Sequence, residues 1–266
     1  MDQVQLATFQ AVIGTGSFEA AARQLHVTPS AVSQRIKALE SSVGQVLVRR
    51  AKPCVATPAG EALVRFAGQV ELLEREALAQ ARDGARVSIV VNADSLDTWF
   101  LPALAAVPGP AWELHTDDQD YTADLLRSGT AMAAVTAEHV AVQGCRLEPL
   151  GSMRYLPVGK PGPMIVYNRK DRLQHRFLES VGQAADAPIH YVPAAAAFVE
   201  AIRLGLGWGM VPEQHARADI AAGRYSPIFP DRFLDVPLYW QYWKIESAVL
   251  RDLTAAVRNA AAAALR

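Results

Sequence analysis

Residues 17–50, SFEAAARQLHVTPSAVSQRIKALESSVGQVLVRR, decide the fold of the first part of the chain. They predict a short helix over residues 18–25, a tight turn, and a second helix over residues 29–41. Thr28 offers a hydroxyl to cap the second helix, and Pro29 takes the first helical position, where its missing N–H is not needed. Two helices joined in this way are typical of a helix-turn-helix.

The second of these helices has two distinct faces at about 100° per residue. Its apolar face carries Val32, Ile36 and Leu39, while the opposite face carries hydroxyl, amide and basic side chains. Such a face suits DNA, because Gln34 can read a base edge while hydroxyls and Lys37 can hold phosphates. The residues of this segment predicted to contact DNA are Thr28, Ser30, Ser33, Gln34, Arg35 and Lys37.

A basic hairpin is predicted directly after the second helix. The segment VLVRRAKPCVATPAG alternates apolar and basic residues around a turn at Lys52 and Pro53, as the wing of a winged helix does. Arg49 and Arg50 are predicted to grip the phosphate backbone. The alternative is an amphipathic helix pair with a merely solvated polar face. The capped start at proline, the abrupt turn and the basic hairpin together favour DNA binding.

The order of AAARQLHVTPSAVSQRIKALE, GQVLVRR and TPAGEALV resembles the N-terminal domain of LysR-type transcriptional regulators. The resemblance covers about the first eighty residues almost without gaps. It implies a winged helix-turn-helix that binds double-stranded DNA at a two-fold-symmetric operator. It also implies a dimer at least, a tetramer built from two dimers, and contact with RNA polymerase.

Composition sets broad limits on the class of protein. The chain has 266 residues, of which 51% are hydrophobic and 20% charged, which is typical of a globular protein with one or two domains. No apolar run reaches the roughly 18–20 residues of a membrane span, and no secretory signal is visible. Two cysteines are too few for a disulfide framework or a metal site. A cytoplasmic protein without a membrane partner is expected.

The net charge of -1 is unevenly distributed. Up to Thr57 there are six basic and three acidic residues, a balance of +3, which leaves -4 for the remainder. The chain thus has a basic N-terminal segment up to Thr57, the head, and an acidic remainder, the body. This division favours nucleic acid as the partner of the head and a different partner for the body.

A long helix is predicted from Pro58 to about residue 83, with Thr57 as its N-cap. Apolar residues recur along it at alternating spacings of three and four, a short heptad seam: Leu63, Phe66, Val70, Leu73 and Ala77. A buried helix of a monomer shows the same pattern. After a DNA-binding head, however, this seam favours a linker helix that pairs two subunits.

Beyond residue 86 the chain alternates short β runs with helical segments, which predicts parallel strands with crossover helices, an α/β domain. VPLYWQYW is expected to return to the first lobe, and a helix over residues 247–265 closes the chain. The predicted division is a winged helix-turn-helix over 1–57, a linker helix over 58–83 and a two-lobed effector domain over 84–266. Within that domain, the first lobe takes 87–158 and 236–266, and the second takes 159–235.

Ligands of such sheets bind beyond the carboxyl ends of the strands, in the cleft between lobes. The first strand ends at Asn92, and free N–H groups at the following helix start suit a carboxylate; the alternative is that Asp94 or Ser95 merely caps that helix. Acidic residues after the second strand suit a ligand ammonium or guanidinium group, although they also suit a solvated loop. The predicted effector-binding residues are Asn92, Asp94, Ser95, Asp117, Asp118 and Thr136, with Asp120 beside them. Trp99, Trp208 and Trp240 are expected in the core.

Several segments of the body narrow the resemblance, among them VNADSLDTWFLPALA, GLGWGMVP and LDVPLYWQYW. They resemble the ArgP/LysG subfamily, and most of all its actinobacterial members. The resemblance implies a regulator of amino acid export that senses lysine, arginine or histidine. The sequence departs from the subfamily pattern at two places. Only GKPGP separates the crossing strand from MIVYN, so a crossover helix is missing or replaced. PAAAA takes the place of the hydroxyl or acidic residues that face the cleft in relatives.

The rival class is an enzyme. The sequence has no GxSxG, HExxH, phosphate loop or dinucleotide fingerprint, and its six histidines lack metal-site spacing, so no catalytic residue, cofactor or metal is predicted. A second rival is a constitutive or nucleoid-type DNA-binding protein. Only a regulator changes its DNA complex when an effector binds.

Overall fold

A computed structural model describes residues 1–79, 86–116 and 122–266, with the backbone alone for residues 75–79 and 122–124. The N-terminal part contains three helices and a two-stranded hairpin: α1 (Gln3–Thr15), α2 (Phe18–Gln24), α3 (Pro29–Val43), β1 (Val48–Arg49) and β2 (Val55–Ala56). Apolar residues from all three helices and from the hairpin form one core, with Phe9, Ile36 and Leu47 almost fully buried. The predicted winged helix-turn-helix is confirmed.

The turns of this head follow from local chemistry. α3 extends two residues beyond the predicted end and stops at Gly44, whose φ of 76° is left-handed, a conformation that glycine adopts without strain. The hairpin pairs Val48 with Ala56 in antiparallel register, and the backbone N–H of Cys54 donates to the Gly16 carbonyl at 2.8 Å. The wing is therefore attached to the end of α1.

The next helix, α4 (Pro58–Ala79), begins as predicted, because the Thr57 hydroxyl accepts a hydrogen bond from the Gly60 N–H at 3.1 Å. One of its sides is covered by the same chain, including buried Val64 and Leu72. The opposite side leaves Phe66 and Leu73 exposed by 41% and 43%. Two members of the predicted seam are thus open to solvent, whereas the Ala77 side chain lies outside the described part.

An eight-stranded sheet organises the described part of the body, in the order β4-β3-β5-β10-β6-β9-β7-β8. Its strands are β3 (Arg86–Val91), β4 (Ala111–Thr116), β5 (Ala133–Thr136), β6 (Cys145–Gly159), β7 (Met164–Val166), β8 (Ile189–Tyr191), β9 (Trp208–Pro212) and β10 (Leu234–Trp243). β3 runs parallel to β4 and β5, and β7 runs parallel to β8 and β9. Each parallel set is the sheet of one lobe.

Helices cover both sets. They are α5 (Ala93–Ser95), which continues through a π-helical turn at Leu96–Phe100 into α6 (Leu101–Ala105), then α7 (Thr122–Arg127), α8 (Leu173–Ser180), α9 (Ala195–Arg203), α10 (Glu213–Ala221) and α11 (Ala248–Ala264). The long antiparallel strands β6 and β10 lie between the sets, and β6 continues from its pairing with β10 to its pairing with β9. The predicted α/β class, the returning strand and the closing helix are confirmed.

The predicted loss of a crossover helix is also confirmed. Residues 160–163 alone connect β6 to β7. This is sufficient because β9, which lies between them, is antiparallel to β6 and parallel to β7, so the chain only has to turn back. The connection passes close to β9: the Trp208 N–H donates to the Pro163 carbonyl at 3.0 Å, and a side chain at Gly207 would collide with the same carbonyl oxygen.

Candidate DNA-binding surface and effector cavity

α3 presents its polar face to solvent. The Thr28 hydroxyl accepts from the Ala31 N–H at 3.2 Å, which fixes the start of the helix. Val32, Ile36 and Leu39 are buried in the head core. Thr28, Ser30, Gln34 and Lys37 are exposed, so four of the predicted DNA contacts lie on an open helical surface.

Ser33 and Arg35 lie at the flank of that surface. Both are half-buried, and Arg35 Nη1 donates to the Thr8 hydroxyl of α1 at 3.4 Å. On the wing, Arg49 and Arg50 are exposed, and the Arg50 guanidinium lies 4.9 Å from the centroid of the Phe18 ring, a cation–π distance. The structure therefore positions Arg35 against α1 and the two wing arginines beside solvent.

A cavity of about 160 Å³ lies between the two lobes. Asn92, Asp94, Asp97 and Thr116 line it from the first lobe, at the carboxyl ends of β3 and β4 and on the helical segment that follows β3. The lining residues from the second lobe include Tyr167, Asn168, Asp171, Gln174, Ala195, Phe198, Met210 and His215. The position agrees with the rule for ligand sites in α/β sheets.

Asp94 is a half-buried carboxylate of this cavity. Its Oδ2 accepts from the Tyr155 hydroxyl of β6 at 2.7 Å. Burial raises the pKa of Asp94 to about 6, with the charges of Asp171 and Asp97 adding to the increase and the tyrosine hydrogen bond opposing it. A carboxylate that is desolvated to this degree is stabilised by an incoming cation.

The other two carboxylates have different partners. Asp171 Oδ2 accepts from the Tyr167 N–H at 3.0 Å, and its Oδ1 accepts from the Leu173 N–H at 2.9 Å. Asp97 Oδ2 lies 2.8 Å from His215 Nε2, which belongs to the opposite lobe. The cavity is therefore acidic, but its carboxylates are not equally available to a ligand.

Two buried amide oxygens at the cavity wall have no hydrogen-bond partner among the described residues: Asn92 Oδ1 and Gln174 Oε1. The orientation of Gln174 is defined because its Nε2 donates to the Ile165 carbonyl at 2.9 Å. Asn92 is the N-cap of α5 but makes no capping bond through its side chain. Buried acceptors without partners are unfavourable, so ligand N–H groups would stabilise both.

The remaining predicted effector residues are distributed differently. Ser95 is fully buried, and its hydroxyl has no partner in the described part of the chain. Thr136 is also buried, and its hydroxyl accepts from the Glu138 N–H at 3.0 Å; neither residue is among those that line the cavity. Asp117, Asp118 and Asp120 lie outside the described residues.

Several lining residues were not predicted from the sequence, notably Asp97, Asp171, Gln174 and His215. For Asp171 a signal existed, since it lies in the segment that follows the parallel strand β7, five residues beyond the end of that strand. Asp97 is three residues after Asp94 on a helical segment and therefore lies near the same face. Nothing local distinguishes His215, which reaches the cavity only because α10 packs beside β9.

The three tryptophans expected in the core, and Cys145, are buried or half-buried in the body. Trp99, Trp208 and Trp240 are buried in the body core, as predicted. Cys145 is half-buried, and this burial raises the pKa of its thiol to about 11, which disfavours the reactive thiolate. Within the described residues there is no cluster suited to a metal ion, and no helix there is long and apolar enough to cross a membrane.

Comparisons with known proteins define the class. Residues 4–61 match the family of bacterial regulatory helix-turn-helix proteins of the lysR type, and residues 80–262 match the LysR substrate binding domain. The chain therefore belongs to the LysR family of bacterial transcriptional regulators.

Its relatives narrow the class further. The HTH-type transcriptional regulator LysG of Mycobacterium tuberculosis is 46% identical, over 100% of this chain and 95% of the relative. The lysine export transcriptional regulatory protein LysG of Corynebacterium glutamicum is 41% identical, over the whole of both chains. Each alignment spans 290 positions against 266 residues here, which leaves 24 positions without a counterpart in this chain.

Solved structures agree with this assignment. The crystal structure of ArgP from Mycobacterium tuberculosis superimposes with a TM-score of 0.88 at 46% identity, covering 100% of this chain and 99% of that one. Full-length LysG from Corynebacterium glutamicum with bound effector Arg superimposes with a TM-score of 0.82 at 40% identity and covers both chains completely.

Proposed function

We propose that this LysR-type regulator senses a basic amino acid, either lysine, arginine or histidine, and controls an amino acid export gene. The observation that carries the proposal is the desolvated Asp94 carboxylate in a cavity between two lobes. The arginine bound to LysG of Corynebacterium glutamicum and the lysine export role of that relative support the same ligand class. Lysine and arginine are the first candidates.

The cavity suggests how such a ligand is oriented. Its side-chain cation pairs with Asp94, which lowers the free energy of the buried charge. Its α-ammonium donates to Asn92 Oδ1 and Gln174 Oε1. Its α-carboxylate faces the first turn of α9 at Ala195, where helix geometry leaves N–H groups without intrahelical partners. Backbone groups then replace the polar side chains that the PAAAA segment lacks.

On the DNA side, we assign base reading to Gln34 and phosphate contacts to Thr28, Ser30, Ser33, Lys37, Arg49 and Arg50. Arg35 contributes from the flank of α3, because its guanidinium already contacts α1. The operator is double-stranded and two-fold symmetric, since paired heads read two half-sites.

The exposed seam of α4 supports pairing of subunits. Phe66 and Leu73 are large apolar side chains that the described part of the chain leaves exposed, and apolar residues at this spacing pair helices. We assign residues 1–57 to the head, 58–83 to this linker and 84–266 to the effector domain. A dimer, assembled further into a tetramer, holds the paired heads.

The same helix offers a mechanical connection between effector and DNA. Leu72 belongs to the body core, and an added side-chain carbon at Gly68 would lie 2.6 Å from the Trp243 ring. A change of lobe geometry on effector binding is therefore transmitted through α4 to the head, which alters contact with RNA polymerase. We place the protein in the cytoplasm, without a cofactor or catalytic activity.

The test is fluorescence anisotropy of the full-length protein on DNA upstream of a neighbouring exporter gene, at fixed salt, with and without lysine, arginine and histidine. We expect tight binding to this DNA and a shift with one of the three amino acids. Binding that no amino acid shifts favours a constitutive DNA-binding protein. Equal binding to random DNA contradicts a specific regulator at this site.

A further inference from the structure

Asp97 and His215 form a contact across the cavity. Asp97 lies on the π-helical turn after β3, and His215 lies on α10 beside β9. Their Oδ2 and Nε2 atoms are 2.8 Å apart, which is within ion-pair distance and brings the two lobes together. Nε2 is buried and makes no hydrogen bond of standard geometry to a described residue, so the contact is an ion pair when the imidazole is protonated. Both side chains are partly exposed, by 48% for Asp97 and 35% for His215, whereas Asp94 is desolvated. Asp97 is therefore more exposed than Asp94, the carboxylate assigned to the ligand.

The cavity exists while this contact is made. About 160 Å³ remains between the lobes with Asp97 and His215 in contact, so a small ligand can be held between the lobes while the pair is in contact. Asp171 has backbone donors on both oxygens, and Asp97 has His215. Of the three carboxylates, Asp94 is left for the ligand cation.

His215 is carried on a helix whose first turn is anchored to the end of α11 and to Arg266, which follows it. Glu213 Oε2 accepts two hydrogen bonds from the Arg266 guanidinium, at 2.9 and 2.7 Å. Gln214 Nε2 donates to the Ala264 carbonyl at 2.9 Å. These contacts fix the position from which His215 reaches Asp97, so the pair is built into the closed arrangement of the lobes.

We propose that Asp97 and His215 are positioning residues that form an interlobe clasp, which retains the effector without contacting its cationic group. The inference rests on the proposed function, because it concerns release of a basic amino acid from this cavity. A clasp of this kind slows dissociation, since the lobes must separate before the ligand leaves.

The test measures arginine dissociation from the full-length protein by stopped-flow fluorescence, for Asp97→Asn, His215→Gln and the double variant. We expect each single variant to raise the dissociation rate about tenfold. The double variant should be no faster than either single one, because both remove the same contact. Exchanging the partners, Asp97→His with His215→Asp, should restore slow release. Asp252→Asn, at an exposed α11 residue that pairs with its neighbour Arg251, is the matched control and should release arginine at the wild-type rate.

Two results would overturn the clasp. Tighter arginine binding by His215→Gln, together with weaker binding by Asp97→Asn, would make Asp97 the partner of the ligand and His215 its competitor. Additive effects in the double variant would make the two residues independent ligand contacts.

A ligand-free measurement separates the clasp from the proposed function. Urea unfolding of the wild type, Asp97→Asn, His215→Gln and the double variant gives the coupling between Asp97 and His215 without any effector. Coupling of at least threefold in the unfolding equilibrium constant supports the clasp, whether or not the wild type binds a basic amino acid. If coupling is found but no basic amino acid binds, only the proposed ligand is wrong. No coupling rejects the clasp.

Discussion

The polar face of α3 and the interlobe cavity are both polar surfaces prepared for a partner, yet they are built in opposite ways. The six DNA-contacting residues predicted on α3 and its cap lie within ten positions of sequence, from Thr28 to Lys37, and four of them are exposed. The cavity gathers residues from Asn92 to His215 and desolvates one carboxylate.

This difference has an energetic consequence. An exposed polar helix face adds little to folding, so its residues can be exchanged at small cost to stability. A desolvated carboxylate without a cation destabilises the ligand-free protein, and the ligand relieves that cost. Function and stability should therefore be nearly independent on α3 and opposed in the cavity.

The largest expected effect is on the cavity. Asp94→Asn should weaken arginine binding by about 2–5 kcal/mol, because it removes the charged partner of the ligand. It should also raise the free energy of unfolding at pH 7 by about 1–3 kcal/mol. The reason is that the pKa of Asp94 is about 6 in the folded chain and about 3.9 in an unfolded chain. Between these values the folded state binds more protons, so its stability falls as pH rises.

Calorimetric titration with arginine and urea unfolding check both halves of this prediction, with Asp252→Asn as the control. A variant that is destabilised as well as deficient in binding would show that Asp94 has a structural role instead.

The same carboxylate should make effector binding depend on pH. Below pH 6 the protonated form of Asp94 dominates, so arginine affinity should fall about tenfold per pH unit. Arginine is the appropriate probe because its guanidinium remains charged throughout. The dissociation constant measured between pH 4.5 and 7.5 checks this, and Asp94→Asn should lose the dependence. A wild-type affinity that stays constant across this range would exclude Asp94 as the partner of the cation.

On α3, Gln34→Ala should weaken operator binding by about 1–3 kcal/mol and relax the preference at one base position. Lys37→Ala should weaken all sequences alike and reduce the salt slope by about one. Anisotropy on operator and random DNA at several salt concentrations separates the two variants. Equal losses on both DNAs for Gln34→Ala would remove its role as a base reader.

The smallest expected effect concerns the helix start. Thr28→Ala removes the acceptor of the Ala31 N–H and should lower the free energy of unfolding by about 1 kcal/mol. Ser30→Ala, at an exposed neighbouring hydroxyl, should change it by less than about 0.5 kcal/mol. Urea unfolding compares the two. Equal stability of both variants would mean that the Thr28 cap contributes nothing.

The head was predictable because its signals are local. The cap at Thr28, the proline that follows it and the spacing of Val32, Ile36 and Leu39 act within one or two turns of helix. Arg35 was also predicted as a DNA contact, but only the packing of α1 beside α3 brings Thr8 within reach of its guanidinium.

For the body, where the replaced crossover was inferred from the resemblance to the ArgP/LysG subfamily, the sequence alone determined the alternation of strands and helices, the returning strand and the presence of Asn92 and Asp94 at a strand end. These follow from short-range periodicity and from a rule that applies to every parallel sheet. The tertiary structure alone decided which carboxylate is desolvated, which amide oxygens lack partners and which residue faces Asp97. Burial and pairing depend on residues that are distant in sequence, since Tyr155 and His215 reach the cavity only through the order of β10, β6 and β9 in the sheet.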